Sequence, residues 1–274
     1  MPDRTSAVPG PAARDERARV AYEAFAPHYD DFTAHHDYDA WTATLERLAQ
    51  ACGLRGQRLL DVACGTGKSF LPYLDRGYEV CACDISPAML EVAARKARDR
   101  ARLEVCDMRD LPQLGEFDFV CCIDDAVNYV LAGDELVSTF AGLRRNLAPG
   151  GVVLFDVNSV ITYRTFFASM SVVVGDERVL VWDGHADGTF AAGDLARATL
   201  EALNRREDGT WWRERSDHHQ RHHPHATVGS ALRRAGLEAV AIRGMRLDGT
   251  MSETFDELEN SKAVYVARAR GAAP

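Results

Sequence analysis

An alternation running from Arg58 to Val157 constrains this chain more than any other feature. Arg58 to Ala63 is a short apolar run that enters a glycine turn, Cys64 to Gly67, and Lys68 to Arg76 is helix-patterned up to Gly77. Glu79 to Cys83 is a second apolar run, closed by Asp84. Ser86-Pro87 then opens a helix, with the serine as cap and the proline in the first turn. Met89, Leu90, Val92 and Ala93 give that helix its core spacing. Leu103 to Cys106 and Phe117 to Ile123 are the next strands. Glu135 to Leu147 is helical, Pro149-Gly150-Gly151 turns the chain, and Val152 to Val157 is a fifth strand. Short apolar strands alternating with helices require a parallel sheet covered on both faces. Right-handed crossovers make that sheet doubly wound, so the fold class is α/β.

The pattern differs on either side. Residues 1–16 carry Pro2, Pro9, Gly10 and Pro11 and read as a flexible leader. Arg17 to Cys52 is helical, interrupted at Pro27, with an aromatic patch of Tyr22, Phe25, Tyr29, Phe32, Tyr38 and Trp41. After Asn158, strand-like segments at Val172–Val174, Arg178–Trp182, Ala196–Asn204 and Trp211–Arg215 surround an Asp208-Gly209 turn signal. This marks 160–224 as an antiparallel β insertion. A helix near Ala226–Ala235 and strands near Glu238–Arg243 and Ala263–Ala269 return to the first theme, so 17–274 reads as one domain.

The glycine turn carries the most chemistry. Leu59-Leu60-Asp61-Val62-Ala63-Cys64-Gly65-Thr66-Gly67-Lys68-Ser69 brings a strand into a tight turn that opens a helix. That turn lies at the carboxyl edge of the sheet, where ligands of open α/β folds bind. Asp84 ends the next strand, where a ribose-binding acid belongs. A nicotinamide dinucleotide, and with it an NAD-dependent oxidoreductase, is disfavoured because Phe70 occupies the place of the third glycine. A phosphate-binding Gly-x-x-x-x-Gly-Lys-Ser/Thr loop cannot be aligned on Gly67-Lys68-Ser69.

The Asp61–Gly67 turn resembles the first motif of class I S-adenosylmethionine-dependent methyltransferases. Asp84-Ile85-Ser86-Pro87-Ala88-Met89-Leu90, Cys106-Asp107-Met108 and Leu147-Ala148-Pro149-Gly150-Gly151 resemble their later signatures, in order. Ala63 departs from the glycine that many members carry there. The nearest group is the small-molecule methyltransferases, including natural-product and amino-sugar N-methyltransferases. The resemblance implies a seven-stranded, mostly parallel, Rossmann-like sheet and S-adenosyl-L-methionine as cofactor. It further implies that the backbone of Ala63, Gly65 and Gly67 faces the methionine part and that Asp61 holds the turn and the nearby amino group. Asp84 would accept both ribose hydroxyls, Ile85 and Met89 would lie beside the nucleoside, and Asp107, with the Met108 backbone, would meet the adenine. Tyr22 and Tyr29 would close over the sulfonium and carboxylate.

In this fold the methyl acceptor sits beyond strands four and five. The candidates there are Asp124, Asp125, Asn128 and Tyr129, then Asp156, Asn158 and Tyr163. Asp124 directly continues its strand and is expected to face inward as a catalytic group, with Asp125 beside it for an acceptor amine or hydroxyl. Trp211 to His225 holds His218, His219, His222, His223 and His225. His218 or His222 is the candidate general base. No carboxylate or cysteine trio accompanies them, so no metal is expected.

Charge narrows the acceptor further. With 32 basic and 41 acidic residues the net charge is −9, which disfavours nucleic acid and so an RNA methyltransferase. No apolar run is long enough for a membrane helix. Seven cysteines without a Cys-x-x-Cys pair read as reduced, buried residues of a cytoplasmic protein. The sequence therefore predicts methyl transfer to nitrogen or oxygen of a small molecule, with a homodimer built through the insertion. A non-catalytic adenosylmethionine-binding protein is the remaining alternative.

Overall fold

The computed structural model describes residues 16–271; the leader, apart from Glu16, lies outside them. The helical stretch before the first strand divides into α1 (Arg17–Phe25), α2 (Tyr29–Phe32) and α3 (Tyr38–Ala51). The break falls at Pro27, which cannot donate to a helix interior. The side chain of Asp37 restarts the helix by accepting the N–H of Ala40 at 3.0 Å. The alternation then proceeds through β1 (Arg58–Val62), α4 (Leu71–Asp75), β2 (Glu79–Asp84), α5 (Pro87–Ala97), β3 (Ala101–Val105), β4 (Phe117–Cys122), α6 (Gly133–Arg145) and β5 (Leu147–Asn158). α4 starts later than its apolar pattern suggests, because Pro72 sits in its first turn and the chain from Cys64 to Phe70 is a series of turns. α5 starts at the expected cap, with Ser86 Oγ accepting the Met89 N–H at 3.2 Å.

The insertion comprises α7 (Val160–Thr165), β6 (Met170–Val174), β7 (Arg178–Gly184), β8 (Leu195–Arg205) and β9 (Trp211–Arg221). The chain ends with α8 (His225–Arg234), β10 (Leu237–Met245), β11 (Met251–Ser252) and β12 (Lys262–Ala269). The main sheet has the order β11-β10-β12-β5-β4-β1-β2-β3. β1 to β5 pair in parallel, and β12 enters antiparallel between β5 and β10. The expected seven strands are thus joined at one edge by the two-residue β11.

Both faces of the sheet are covered. Leu59, Phe119, Val152 and Leu154 meet Trp41 and Leu45 of α3 and Leu90 and Ala93 of α5. Leu60, Val120, Val153 and Phe155 meet Leu136 and Phe140 of α6 and Val228 and Leu232 of α8. Alternate residues of each strand therefore serve opposite layers, as a period of two requires. β6 to β9 form a separate antiparallel sheet in the order β6-β7-β8-β9. Leu180, Trp182, Ala198 and Leu200 are buried on it, and Trp182, Ala198 and Leu200 share a core with Phe25, Met89, Tyr163 and Phe167. α1 packs on β9. This second core holds the insertion and the first helices over the carboxyl ends of the parallel strands.

β9 runs on to Arg221, beyond the Arg215 limit read from its apolar pattern, because it stays paired with β8 as far as Leu195–Arg221. The extension places Ser216, His218 and Gln220, at alternate positions, on the buried side.

Candidate active site

The strand order reverses between β1 and β4, and the loops after β1, β2, β3 and β4 converge there. Leaving β1, Ala63 adopts φ 60° and Gly65 and Gly67 adopt 54° and 85°. A Cβ on Gly65 would meet nothing within 4 Å, so the loop leaves open space at the cleft it lines. A Cβ on Gly67 would strike the Phe70 ring at 2.8 Å. Ala63 shows that the turn accepts a β-carbon at its first position, at the roughly 1–2 kcal/mol cost of the left-handed region.

Asp84 faces this loop from the end of β2. Its Oδ2 accepts the Gly65 N–H at 2.8 Å and its Oδ1 the Ser86 N–H at 2.9 Å. Burial pushes its carboxyl up to about 6, against those backbone donors. Each oxygen keeps a lone pair for a further donor. Asp61 lies deeper, at 1% exposure, taking the Ser69 hydroxyl and the Cys121 thiol. Burial raises it to about 7. Ile85 and Met108 complete the apolar wall. Asp107 continues the cleft beyond them, and Arg109 occupies both of its oxygens at 2.7–3.0 Å. Met89, expected beside the cofactor, is fully buried in the core beneath the insertion and does not line the cleft.

The first helices wall the other side. Tyr22 and Tyr29 both line the cleft. α2 is fastened to the glycine loop by Asp30, which accepts Thr66 Oγ1 at 2.6 Å and Lys96 Nζ at 2.8 Å. Lys68 Nζ donates to the carbonyl and hydroxyl of Thr33 at 2.8 and 2.9 Å. An open glycine face, a carboxylate with spare acceptors and an apolar wall suit a nucleoside carrying a cationic, phosphate-free tail. That is the chemistry of S-adenosylmethionine.

The comparisons with known proteins agree with this geometry. A family described as a methyltransferase domain matches residues 59–151, which run from β1 through the glycine loop to the start of β5. The chain is 32% identical over 171 residues to a putative methyltransferase, YqeM, of Bacillus subtilis, covering 61% of this chain and 68% of that protein. This chain belongs to the class I S-adenosylmethionine-dependent methyltransferases. The methyltransferase is 33% identical over 135 residues to a dTDP-4-amino-2,3,4,6-tetradeoxy-D-glucose N,N-dimethyltransferase of Saccharopolyspora spinosa, over 47% of this chain and 53% of that one. An S-adenosylmethionine-dependent methyltransferase from Clostridium acetobutylicum shares its fold with a TM-score of 0.75 at 23% identity, over 91% of this chain and 99% of that one. The methyltransferase's cofactor is S-adenosylmethionine.

A second cavity of about 440 Å³ adjoins the cofactor cleft and shares Tyr22, Tyr29, Asp124 and Tyr129 with it. Its wall is aromatic, with Phe25, Phe32, Phe166, Phe167 and Trp182. Its polar end is formed by the loop after β4. Asp124 and Asp125 adopt φ 64° and 54°, and the buried Asp156 carboxylate accepts both their backbone N–H groups at 2.7 Å. Asp124 takes the hydroxyls of Tyr29 and Tyr38 at 3.0 and 2.6 Å. Lys262 Nζ reaches Asp124, Asp125 and Asp156 at 3.1, 2.8 and 3.2 Å. Burial opposes ionisation of Asp124, but Lys262, His36 and the Tyr38 hydroxyl outweigh it and hold the carboxyl at about 2. Burial drives Asp125 up to about 6, with Lys262 opposing and Asp124 and Asp156 adding to the rise.

The histidines separate. His218 lines the cavity, where its two ring nitrogens meet the Tyr129 and Ser216 hydroxyls at 2.9 and 3.0 Å. Burial lowers it to about 4, so the imidazole is neutral near pH 7. His222 is turned away, with Nδ1 accepting the Gly193 N–H at 3.1 Å and Nε2 at 3.1 Å from Glu257. It does not share a cavity with His218, so the structure separates the two residues that were grouped as candidate bases. His223 donates to the Val130 carbonyl and His225 meets the Tyr265 hydroxyl.

Of the other acceptor-side candidates, Asn158 lines the cavity and donates to Gln220 Oε1 at 3.1 Å. Asn128 and Tyr163 are fully buried supports. Asn128 ties the Asn158 N–H to the Arg221 carbonyl, and the Tyr163 hydroxyl donates to Gln220. Lys262 and Gln220 were not found by sequence reasoning. Gln220 was detectable as the alternate neighbour of His218, whereas a lysine opening an apolar strand carries no signal of its own.

Proposed function

We propose that this methyltransferase moves a methyl group from S-adenosylmethionine to an amine nitrogen of a small molecule of secondary metabolism, with amino sugars as the leading acceptor class. The observation that carries this reading is the junction of the two cavities. A cleft suited to a cationic nucleoside opens, between Tyr22, Tyr29, Tyr129 and Asp124, into an aromatic chamber whose polar end holds the carboxylates of Asp124 and Asp125. Similarity to the Saccharopolyspora enzyme and to a dTDP-3-amino-3,4,6-trideoxy-alpha-D-glucopyranose N,N-dimethyltransferase of Streptomyces venezuelae, 31% identical over 120 residues (44% of this chain and 50% of that one), supports the same class.

When bound, the cofactor supplies a methyl carbon activated by positive sulfur. The chain's share is alignment and charge. Tyrosine faces and carboxylates at the junction tolerate a cation, and the aromatic chamber would hold the acceptor in line, an effect that can supply about 7–11 kcal/mol of a bimolecular barrier. Transfer to a hydroxyl is the second reading, favoured by the neutral His218 in the chamber, which could take a proton through its free-base form. Incubation with methyl-labelled cofactor and paired amino and hydroxy sugar nucleotides tests the choice. Label on the amino member alone is expected; label on the hydroxyl member alone, or on neither, defeats the reading.

We read 17–274 as one catalytic unit, with 160–224 on the acceptor side. We place it in the cytoplasm, in keeping with its free cysteines; among the described residues no helix is long and apolar enough to cross a membrane. The acceptor is not nucleic acid on this reading, given the net charge of −9. Exposed Met170, Val172 and Val174 on edge strand β6 support pairing between two copies, which light scattering would detect.

A further inference from the structure

The three carboxylates at the polar end of the chamber are unequally satisfied. Asp156 takes the two backbone N–H groups and Lys262, three donors in all. Asp124 also takes three, from Tyr29, Tyr38 and Lys262. Asp125 takes only Lys262 on Oδ1 and Gln220 Nε2 on Oδ2, and it lines the chamber. An ionised carboxylate has about four acceptor positions, so Asp125 retains the most capacity on the acceptor side. Lys262 is common to all three, its ammonium reaching one oxygen of each acid and lying 5.7 Å over the Trp41 ring. The asymmetry therefore comes from the other donors: two tyrosine hydroxyls on Asp124, two backbone N–H groups on Asp156 and one amide on Asp125.

We propose that Asp125 is the group that holds the acceptor's ammonium and takes its proton, and that Lys262 is the positioning residue that aims Asp125 and keeps it ionised. The proposal rests on the amine reading above. An ammonium N–H donates to a free position on the Asp125 carboxylate, and the proton passes to that oxygen. The nitrogen keeps the electron pair, which then forms the new N–C bond, while the pair of the breaking C–S bond stays on sulfur. The carboxyl later loses its proton to water, restoring the ionised form. Asp124 is unsuited to this task because it already takes three donors, two of them tyrosine hydroxyls on one oxygen, and Lys262, His36 and the Tyr38 hydroxyl together hold it strongly acidic. Asp125, raised towards neutrality, can both accept and release a proton near pH 7.

The surroundings of Asp125 are defined on every side. Asp124 adjoins it in sequence, Asp156 faces it from β5 and Lys262 from β12. The hydroxyls of Tyr22, Tyr29, Tyr38, Tyr129 and Tyr163 lie within its field, all raised above the ordinary tyrosine value and therefore uncharged. Replacing Lys262 by methionine thus removes the single cation beside Asp125 among the described residues, while His36, on the Asp124 side, is held lower by burial.

The test uses the full chain saturated with S-adenosylhomocysteine, with aspartate carboxyl carbons labelled for NMR. Among the aspartate carboxyls that titrate near pH 6, one is expected to vanish in Asp125→Asn while those of Asp84 and Asp61 remain, to move up by at least one pH unit in Lys262→Met and to return in Lys262→Arg. With the amino sugar nucleotide that accepts label, Asp125→Asn should lower kcat about a hundredfold, and the acidic limb of kcat/KM should follow the Lys262→Met shift. An Asp125 titration that ignores Lys262→Met overturns the positioning role, and an acidic limb unchanged in Asp125→Asn overturns the proton acceptor. If no amine is methylated although the carboxyl titrates as expected, the amine reading and the proton transfer both fall, while positioning by Lys262 stands.

Discussion

Asp61→Asn should make the ligand-free protein more stable in alkali relative to wild type than in acid. Asp61 is 1% exposed, and burial raises its carboxyl from 3.8 to about 7, with hydrogen bonds from Ser69 and Cys121 working the other way. An acid whose pKa is higher in the fold than in the unfolded chain binds its proton more tightly when folded. Its penalty is absent below the unfolded value, grows as pH rises and levels off above the folded value. Between 3.8 and about 7 that penalty amounts to about 2 kcal/mol at pH 5 and about 4 kcal/mol at pH 8.5. Asparagine escapes this penalty but adds an amide N–H beside Ser69 and Cys121, at roughly 1–3 kcal/mol independent of pH. The difference between variant and wild type should therefore move by about 2–3 kcal/mol in the variant's favour from pH 5 to pH 8.5. At about 2–4 °C per kcal/mol that is a relative Tm gain of roughly 5–10 °C. Calorimetry of both proteins at the two pH values measures it, and titrations common to both cancel. A Tm difference that is the same at pH 5 and pH 8.5 would refute the account of Asp61 as a buried acid.

Further tests address the cleft and its closure. Asp84→Ala should weaken S-adenosylhomocysteine binding by at least tenfold in calorimetric titration, since charge-assisted hydrogen bonds contribute about 1.5–3 kcal/mol each. Gly65→Val places a branched side chain at φ 54° in the open part of the cleft, so cofactor affinity should fall more than thermal stability, both read on one sample by ligand-dependent Tm. Asp30→Ala cuts the link between α2 and the Thr66–Lys96 pair, and stopped-flow measurement should find faster cofactor release. His218→Ala should depress turnover at constant cofactor affinity, whereas His222→Ala, next to Glu257 and Gly193, should lower Tm and leave turnover near wild type. Equal losses of turnover in the two would contradict the placement of these histidines.

The loop after β1 and the acid after β2 were legible in the linear sequence because their spacing is local. Gly65 meets Asp84 across two adjacent parallel strands, and register between such strands follows from the apolar runs themselves. The cap at Ser86 and the turn at Gly209 were legible for the same reason. The direction of Met89, into the core beneath the insertion, is not encoded by its place in a signature. The end of β9 has no apolar signature because its last residues are polar, and only pairing with β8 keeps them extended.

By itself, then, the sequence determined the parallel order of elements, the glycine turn and the acids that follow β1 and β2, all consequences of periodicity and short-range spacing. The tertiary structure alone decided the acceptor end. Asp124 and Asp125 of the loop after β4 and Asp156 of β5 are drawn around Lys262 of β12, which follows them in the chain by 138, 137 and 106 residues. Burial and that ammonium dominate the protonation of Asp124 and Asp125, and neither quantity has any local signature. The same holds for His218, which is neutral because the antiparallel sheet and α1 close over it, and not because of its neighbours in sequence.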